Sequence, residues 1–350
     1  MRIAQLAPLA ESVPPKLYGG TERVIAWLVD ELVDLGHDVT LFASGDSRTK
    51  AKLHAVWPRA LRLGRRGVDP NAACSLLIEA VAERAHEFDV IHSHVDWLPL
   101  PVLSRTGVPF LTTTHGRLDL PGLSDVIGRF ADAPFVSISD NQRRPLPGAN
   151  WIATIQHGLP KDLFRPTYEA GSYLAFLGRL TAEKGPEAAI RIARTVRMPL
   201  RIAAKIPRAE TAYFKRKLEP EIDGETIQLV GEVDDVRKQH FLAGAAALLF
   251  PIDWPEPFGL VMIEAMACGT PVIAYRSGSV PEVLEDGVTG FIVDGEGQAI
   301  QAVKEAARLD RSRIRARFEE RFAAGRMARQ YEESYRELIG RRPRHGRVAS

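Results

Sequence analysis

The fold is decided by the stretch from Phe250 to Gly278, which reads FPIDWPEPFGLVMIEAMACGTPVIAYRSG. An apolar strand ending near Phe250 leads into a loop with three prolines, and proline can neither continue a sheet nor lie inside a helix. Apolar residues then recur at helical spacing, which predicts a short helix from near Phe258 to Cys268. Its first turn presents backbone N–H groups and the positive end of the helix dipole, and Gly259 has no side chain to keep a phosphate away. The stretch therefore predicts an anion site where this helix starts.

Two carboxylates border the predicted anion site. Glu256 lies in the proline-rich loop, and Glu264 shares a helix face with Leu260, so Glu264 is aimed along the side of the open first turn. A carboxylate beside a phosphate is repelled unless it accepts hydrogen bonds from neutral groups, and sugar hydroxyls are such donors. The pattern favours a sugar nucleotide. The alternative is that Glu256 is a surface charge of the loop and Glu264 a solvated helix residue.

The motif EPFGLVMIE, from Glu256 to Glu264, is followed by AMACGTPVIA and GSVPEVLEDGVTGFIV, and together they resemble the signature of glycosyltransferase family 4. The resemblance implies an α/β protein of the GT-B fold, with two Rossmann-like domains facing each other across a cleft, and retaining, metal-independent transfer. It implies that Glu256 contacts the donor sugar and that Glu264 holds the ribose hydroxyls. The backbone of Phe258, Gly259 and Leu260 is implied to meet the sugar and phosphates.

Length and composition set the outer bounds. The 350 residues, 45% hydrophobic and 26% charged, suffice for two domains with separate cores, and a net charge of +2 gives no general reason to expect nucleic acid. Cys74 and Cys268 are too few for a disulfide framework, which fits a reducing cytoplasm. We find no apolar run long enough for a membrane span, and MRIAQLAP is interpreted as a first strand and not as a signal peptide. We expect a cytoplasmic protein that could contact the inner membrane face peripherally.

The first hundred residues carry two candidate features. A strand from Ile3 to Leu6, a helix and the strand DVTLFAS form a βαβ unit with Gly19 and Gly20 at the loop-to-helix junction, but without the GxGxxG dinucleotide fingerprint. The resemblance implies that this loop borders the acceptor and the donor phosphate; a plain turn is the alternative. The basic stretch from Arg48 to Arg66 is interpreted as a solvated loop and helix face, or as a contact for an anionic acceptor or lipid head groups.

Three polar residues follow predicted strands of the first domain. The strands DVIHSH and VPFLTTTHG end at His94 and His115, and Asp119 comes shortly after. Ligands gather at the carboxyl ends of parallel strands, so all three are site candidates. The resemblance implies that His115 lies over the donor sugar and contacts its outer hydroxyls. For each of them a packed or surface role is the alternative.

The second domain supplies cations. The sequence SYLAFLGRLTAEKGPEAAI predicts a strand, a loop and a helix with Pro186 in its first turn, so that Arg179 and Lys184 emerge together at the strand's carboxyl end. Two cations there can hold a diphosphate, as the resemblance also implies, and Lys205 at the next strand end would add a third contact. Without such a ligand each would be a surface charge.

The resemblance also assigns the base. The strand TIQLVGEVDD ends near Val233, whose backbone is implied to pair with the nucleobase edge, which suits uracil. A turn capped by Asp234 is compatible with that role. The loop from Ser277 to Ser279 is predicted to approach the phosphates closely.

The domain boundaries follow from these segments. The family usually has Asn-Gly where this chain has His157 and Gly158, a change expected to alter only the turn. A last helix of about 323–340, with a stripe from Met327 to Leu338, is expected to pack back on the first domain, and the Arg-rich tail 341–350 to be disordered. We predict an N-terminal acceptor domain over 1–163 and a C-terminal donor domain over 164–322.

The predicted function follows from charge. Cleavage of the bond between the anomeric carbon and the phosphate leaves negative charge on the diphosphate, which Arg179, Lys184 and the helix start near Gly259 would stabilise. The sequence has no DxD motif or clustered His and Cys ligands, so no metal and no cofactor are expected. We predict a retaining hexosyltransferase that uses a nucleotide diphosphate sugar, with a UDP-sugar favoured, and a hydroxyl acceptor that is a polysaccharide, a glycolipid or a small molecule. The alternatives are a non-catalytic nucleotide-sugar-binding scaffold and a GT-B sugar-nucleotide epimerase; a phosphorylase would need a pyridoxal-binding lysine, for which the sequence gives no signal.

Overall fold

Two parallel β-sheets form the two units of the chain. The computed structural model describes residues 1–16, 19–64, 67–169 and 171–341. The first unit contains residues 1–138 and 143–155 and the chain from Gly325 onward, and the second contains residues 139–142 and 156–324. Both units are α/β, as predicted.

The first unit is built on a seven-stranded sheet in which every neighbouring pair is parallel. Its inner strands are buried on both faces, which is why they are almost continuously apolar. The strands are β1 (Arg2–Leu6), β2 (Asp38–Ser44), β3 (Lys52–Trp57), β4 (Val90–Ser93), β5 (Phe110–Thr113), β6 (Phe135–Ser137) and β7 (Trp151–Thr154). Their order, β3-β2-β1-β4-β5-β6-β7, reverses direction between β1 and β4. The carboxyl ends of those two strands are therefore the expected ligand position.

Helices connect these strands. The first buries an apolar face that includes Val24, Leu28 and Leu32, and it ends before Gly36, whose φ of 85° stops a helix. The helices are α1 (Gly20–Asp34), α2 (Pro70–Glu83), α3 (Leu100–Leu103), α4 (Leu123–Arg129) and α5 (Asp140–Arg143), with a 3-10 turn at Ala85–Glu87.

The basic stretch of the first unit differs from its prediction. Residues expected to form a loop and a helix face instead form β3, which pairs with β2. All six residues of β3 are exposed or partly exposed, so it lacks the buried apolar run that identifies the inner strands. The basic side chains have local carboxylate partners: Lys50 with Asp34, Lys52 with Asp38 and Arg62 with Glu11. Arg65 and Arg66 lie outside the described residues.

The second unit contains a six-stranded parallel sheet. Its strands are β8 (Tyr173–Arg179), β9 (Leu200–Lys205), β10 (Ile227–Gly231), β11 (Ala245–Phe250), β12 (Val272–Tyr275) and β13 (Gly290–Val293). The order β10-β9-β8-β11-β12-β13 has its reversal between β8 and β11. β8 ends at Arg179 and β11 ends at Phe250, so the two stretches predicted to bind a sugar nucleotide lie on either side of the reversal point.

The helices of the second unit pack on both faces of this sheet. They are α6 (Pro186–Val196), α7 (Thr211–Tyr213, continued by a π-helical turn at Phe214–Leu218), α8 (Asp235–Ala243), α9 (Leu260–Ala267), α10 (Val280–Val283), α11 (Glu296–Ala306) and α12 (Arg311–Arg321). Short 3-10 turns occur at Ala182–Lys184, Arg208–Glu210 and Glu219–Glu221. No described helix has the length and hydropathy needed to cross a membrane.

The last helix, α13 (Ala324–Gly340), carries the predicted apolar stripe, and Met327, Tyr331 and Tyr335 are fully buried. It belongs to the first unit from Gly325 onward. By their contacts, residues from 156 onward group with the second unit, because the N–H of Leu159 donates to the carbonyl of Phe322 and the Leu159 carbonyl accepts from the N–H of Ala324. The tail from residue 342 lies outside the described residues.

Candidate functional site

The loop between β11 and α9 is bound along its length by the turn from Ser277 to Ser279. Ser277 Oγ donates to the carbonyl of Trp254 at 2.6 Å, the N–H of Ser279 donates to that of Glu256 at 2.9 Å, and Ser279 Oγ donates to that of Phe258 at 2.8 Å. The turn therefore fixes the proline-rich loop, and its approach to the phosphates stays a prediction.

Two glycines allow neighbouring turns to pack closely against the backbone of this loop. Gly185 has φ 70°, and a Cβ there would lie 2.0 Å from the carbonyl oxygen of Pro251. Gly278 has φ 56°, and a Cβ there would lie 2.3 Å from the amide nitrogen of Glu256. Real Cβ atoms do not approach backbone so closely, and both φ values lie in the left-handed region. The turn that carries Lys184 and the turn from Ser277 to Ser279 are thus packed directly on the loop backbone.

α9 begins at Leu260, slightly later than the predicted start at Phe258. Gly259 is the N-cap residue with φ 79°, a left-handed conformation that cannot be part of the helix. The helix ends at the buried cap Cys268 as predicted, and Arg315 donates to the last helical carbonyl, that of Ala267, at 2.6 Å. A cation at the C-terminus and open N–H groups at the loop complement the helix dipole.

Glu256 and Lys184 form an ion pair. The Glu256 carboxylate also accepts a hydrogen bond from Trp254 Nε1 at 3.0 Å, and Lys184 Nζ lies 5.1 Å from the centre of the Trp254 ring. Both charged side chains are 13% exposed. The structure therefore brings together the two residues that the sequence placed in one site, and the alternative of a surface charge at Glu256 is wrong.

Arg179 and Lys205 lie side by side at the carboxyl ends of β8 and β9, where they occupy the same register position. Arg179 donates to the Glu183 carboxylate at 3.3 Å, and the Glu183 carbonyl accepts from the N–H of Asp253 at 2.8 Å. The turn after β8 is thus attached to the proline-rich loop. Together with Lys184, these side chains place three cations at one edge of the sheet.

Val233 follows β10, next to β9, in the turn that leads into α8. As predicted, Asp234 caps this helix by accepting from the N–H of Arg237 at 2.8 Å. Val233 therefore lies at the same carboxyl edge as the cations, on a turn fixed by its cap.

Glu264 is only 3% exposed, so the alternative of a solvated helix residue is wrong. Its carboxylate accepts from Lys238 Nζ at 2.6 Å, and Lys238 is itself 8% exposed. A buried carboxylate needs such a partner because removing a charge from water without one is costly. Lys238 is not among the residues predicted from the sequence, although this lysine falls on the same face of α8 as the core residues Phe241 and Leu242.

The candidates of the first unit separate into two places. His94 Nδ1 lies 2.9 Å from His115 Nε2, so these residues meet as the strand ends predicted. Burial lowers the pKa of His115 to about 3, which keeps its ring neutral at physiological pH. Asp119 instead pairs on the surface with Arg117 at 2.8 Å, which lowers the pKa of Asp119.

Gly19 and Gly20 lie at the start of α1, Gly19 as the cap and Gly20 as the first helical residue. A Cβ on Gly19 would lie 2.9 Å from Pro15 Cβ and 3.0 Å from a carboxylate oxygen of Glu22. Close packing thus accounts for Gly19 in the described structure.

The first unit also contains a cavity of about 40 Å³ at the β4 and β5 ends. Its walls are mostly apolar, with Thr114, Asp96 and Arg117 among them, and Trp97 and Leu120 at its edge are 39% and 51% exposed. Its volume is well below that of a typical small-molecule pocket.

Comparison with known families decides what this arrangement is. Residues 164–324 match the family model described as glycosyl transferases group 1, and residues 18–153 match the one described as glycosyltransferase family 4. The two matches leave out little more than the ends of the chain. The chain belongs to glycosyltransferase family 4.

This family 4 glycosyltransferase is similar to curated proteins described as D-inositol 3-phosphate glycosyltransferases. That of Mycobacterium leprae is 28% identical across 69% of this chain and 66% of its own length, so the match spans slightly less than two thirds of that relative. That of Frankia alni is also 28% identical, across 89% of this chain and 90% of its own length.

Solved structures show the same fold for the family 4 glycosyltransferase. Sucrose-phosphate synthase from Thermosynechococcus elongatus has a TM-score of 0.78 at 21% identity, over 97% of this chain and 99% of that one. HepE from Anabaena, in complex with UDP and glucose, has a TM-score of 0.73 at 18% identity, over 96% and 100%. The fold is GT-B, as the resemblance had implied.

His157, where the family usually has Asn, contacts the site loop of this family 4 glycosyltransferase. Its buried ring packs edge-on against Phe258, with 4.9 Å between ring centres. A Cβ on Gly158 would lie 2.6 Å from the carbonyl oxygen of Ala323, so the glycine is needed for close packing. The departure from the family pattern thus reaches beyond turn detail, which the sequence could not reveal because the contact is long-range.

Proposed function

We propose that this glycosyltransferase moves a hexosyl group from a UDP-sugar to a hydroxyl acceptor, with retention at the anomeric carbon and without a metal ion. The observation that carries the proposal is the Lys184–Glu256 ion pair, packed against the start of the α9 loop at the reversal point of the second sheet. Cations for a diphosphate and a carboxylate for sugar hydroxyls are adjacent there.

The donor contacts are assigned by position. Arg179, Lys184 and Lys205 hold the diphosphate, because all three lie at the carboxyl edge of β8 and β9. Glu264 accepts from the ribose hydroxyls, and the backbone of Val233 meets the nucleobase.

The loop before α9 completes this donor site. Backbone groups of Phe258, Gly259 and Leu260 face the sugar and the phosphates, at the helix N-terminus where anions are stabilised.

The Lys184–Glu256 pair exchanges partners when the donor binds. Without a donor the two charges neutralise each other in a poorly exposed position, where an unpaired charge would be costly. With a donor, Lys184 turns to a phosphate oxygen, and Glu256 accepts hydrogen bonds from sugar hydroxyls and keeps that of Trp254. After the exchange Lys184 has an ionic partner, and the Glu256 carboxylate is stabilised by hydrogen bonds from neutral donors.

His115 contacts outer hydroxyls of the sugar as a neutral ring. Gly19 and Gly20 contribute backbone near the phosphate and the acceptor. We place the acceptor at the carboxyl ends of β4 and β5, the edge of the first sheet at which His94 and His115 meet.

The transfer step balances charge and protons as follows. The bond from the anomeric carbon to the phosphate oxygen breaks, and its electron pair leaves with the diphosphate, which the cations stabilise. The acceptor oxygen attacks the same face of the anomeric carbon, and its proton passes to the departing phosphate oxygen. The cationic side chains do the work that a metal ion does elsewhere.

The donor is proposed from chemistry and from relatives. HepE, which shares the fold, was solved with UDP and glucose, and relatives at 28% identity are described as acting on D-inositol 3-phosphate. The turn at Val233 suits a base read by backbone groups. We therefore place UDP-glucose and similar UDP-hexoses first among candidate donors, and leave the acceptor as a hydroxyl compound.

The proposal is tested in three steps. Thermal shift with UDP-, GDP- and ADP-sugars identifies the donor, nucleotide release is then measured with a panel of hydroxyl acceptors, and proton NMR of the product reads its anomeric configuration. We expect acceptor-dependent UDP release that persists in EDTA, with the α-linkage of an α-donor retained. Donor binding without transfer would indicate a non-catalytic scaffold. Formation of a different free UDP-sugar in the absence of acceptor would indicate an epimerase. An inverted product, or complete inhibition by EDTA, would contradict the stated mechanism.

A further inference from the structure

A continuous series of hydrogen bonds runs through the interior of the first unit and ends at His115. Starting from that end, His115 Nε2 lies 2.9 Å from His94 Nδ1, and His94 Nε2 lies 2.9 Å from Gln5 Oε1. Gln5 Nε2 in turn donates to the hydroxyl of Tyr335 at 3.0 Å. Residues from β1, the ends of β4 and β5, and α13 are thereby linked.

The series continues beyond α13. The Tyr335 hydroxyl lies 2.7 Å from His92 Nδ1, and His92 Nε2 lies 2.8 Å from Thr113 Oγ1. Thr113 Oγ1 lies 2.9 Å from the hydroxyl of Tyr331. We refer to the seven residues from His115 to Tyr331 as the histidine–tyrosine chain. Apart from His115, its members are at most 2% exposed: Gln5, His92, His94, Thr113, Tyr331 and Tyr335.

The direction of every bond in the histidine–tyrosine chain follows from Gln5, because an amide is its only member with one fixed donor end and one fixed acceptor end. The amide oxygen faces His94, so His94 Nε2 carries the hydrogen. A neutral imidazole then accepts at Nδ1, so His115 donates from Nε2.

The amide nitrogen of Gln5 fixes the direction of the hydrogen bonds from Tyr335 to Tyr331. Tyr335 accepts from the amide nitrogen and therefore gives its own hydrogen to His92 Nδ1. His92 donates from Nε2 to Thr113, which donates to Tyr331. Each bond has one donor and one acceptor, which a buried polar chain requires to be stable.

We propose that Gln5, held by Tyr335, sets the tautomer and the ring orientation of His115 through His94. Gln5, His94 and Tyr335 are then positioning residues, and α13 serves the sugar-facing histidine without touching the sugar. This inference rests on the proposed function, in which His115 contacts the donor sugar. In this arrangement His115 carries its hydrogen on Nε2, towards His94, and its acceptor lone pair on the buried Nδ1.

The surroundings of His115 support a neutral ring. The titratable groups that face it within the unit are His92 in β4, His94 just after β4, Tyr331 and Tyr335 from α13, and Asp96, which accepts from the backbone N–H of His115. Burial lowers the pKa of His92 well below its ordinary value and raises the pKa of both tyrosines. The histidines and tyrosines of the chain therefore stay neutral, and each hydrogen bond fixes which atom of the next residue donates.

The first test reads the tautomer in the full-length protein without donor. In 15N-histidine-labelled protein, long-range 1H–15N spectra distinguish Nε2–H from Nδ1–H, and we expect Nε2–H at His115. Gln5→Met, which keeps the volume and removes both polar ends, should give a mixture of tautomers at His94 and His115. Gln5→Glu keeps an acceptor for His94 and should preserve Nε2–H. An Nδ1–H tautomer at His115 in the wild type, or an unchanged pattern in Gln5→Met, would overturn the inference.

The second test uses kinetics. Gln5→Met and Tyr335→Phe should each lower kcat on the order of tenfold, as the loss of an orienting partner commonly does. Tyr331→Phe is the matched control: it removes an equally buried hydroxyl from the same helix, but at the far end of the chain, so we expect less than about a twofold change.

A purely structural role is separated by a double variant. If Gln5 acts through His115, Gln5→Met should have no further effect in a His115→Ala background, whereas independent damage would multiply the two losses and refute the positioning role. Should no donor and acceptor pair give transfer, the proposed function fails, and the tautomer measurement still decides this inference by itself.

Discussion

The two units contain polar sites of opposite kinds. The second unit pairs formal charges, Lys184 with Glu256 and Lys238 with Glu264, at poorly exposed positions. The first unit places a neutral series of histidine, amide and hydroxyl groups around His115. A diphosphate brings charge, so its site needs cations whose partners can be exchanged. Sugar and acceptor hydroxyls are uncharged and form only directional hydrogen bonds. A neutral chain of hydrogen bonds that all run in one direction is sufficient for them.

The difference also predicts how each site fails. Removing one member of a buried ion pair leaves a charge without a partner, which costs several kcal/mol. Removing one member of a neutral chain leaves an unsatisfied dipole, which costs about 1–3 kcal/mol. Substitutions in the second unit should therefore be the more damaging, and the following measurements test this ranking.

The largest effect is expected for Glu256→Gln. The amide keeps the shape of the side chain but loses the charge that pairs with Lys184 and accepts from sugar hydroxyls, so transfer should fall about 10³-fold. Steady-state assays with the identified donor measure it, and Glu225→Gln, at an exposed position of the same unit, should behave as the wild type. Full activity in Glu256→Gln would remove this residue from the site.

Next comes Lys238→Met. Glu264 would stay buried without its 2.6 Å partner, and we expect a loss of about 3 kcal/mol in the free energy of unfolding. Urea unfolding followed by circular dichroism gives the value. The double variant Lys238→Met, Glu264→Leu should recover most of the stability because no buried charge remains. If the single variant is as stable as the wild type, the pair does not hold Glu264 in solution.

A smaller loss is expected for Gly185→Ala. The added Cβ would overlap the Pro251 carbonyl, and the alanine would also have to adopt the left-handed φ of 70°. We therefore expect a loss of about 2 kcal/mol in the free energy of unfolding. Gly224→Ala separates the two causes, because Gly224 has φ 80° and open space around it; it should lose about 1 kcal/mol. Equal thermal shifts in the two variants would mean that the contact with Pro251 contributes nothing.

The smallest effect concerns pH and the first unit. The folded-state pKa of His115 is lowered to about 3, below an unfolded value of about 6.5, so the unfolded chain binds the proton more readily. The contribution of His115 is therefore fully present above pH 6.5 and is lost as pH falls towards 3. Between pH 7.5 and 5 we expect a loss of about 1 kcal/mol after allowing for the partial exposure of the ring. The difference in unfolding free energy between the wild type and His115→Asn isolates it, and a difference that stays constant with pH would contradict the lowered pKa.

The fold and the part of the candidate site in the second unit could be predicted because their signals are local. Strand ends, the proline-rich loop and helical spacing placed Arg179, Lys184, Glu256 and Glu264 within short stretches of sequence. Parallel-sheet topology then brings the ends of neighbouring strands together. The same rule placed His94 beside His115.

What the sequence could not give depends on partners distant along the chain. From sequence alone Lys238 resembles a surface lysine, because its partner Glu264 lies on another helix. Gln5 likewise resembles an ordinary strand residue, because its partner Tyr335 lies 330 positions later, in α13. β3 is not predictable from the sequence because all six of its residues are exposed or partly exposed, which resembles a solvated loop. Asp119 was misplaced because a short-range pair with Arg117 holds it at the surface.

The ion pairs beside β3 have a consequence for how molecules of this protein meet. β3 is the outermost strand of its sheet, so one side of its backbone has no neighbouring strand within the described sheet. Lys50 lies just before this strand and Lys52 at its start, where they pair with Asp34 of α1 and Asp38 of β2. A strand from another copy would have to strip water from these charges before it could add to the sheet. The charges of this basic segment are therefore expected to disfavour pairing between the edge strands of two copies.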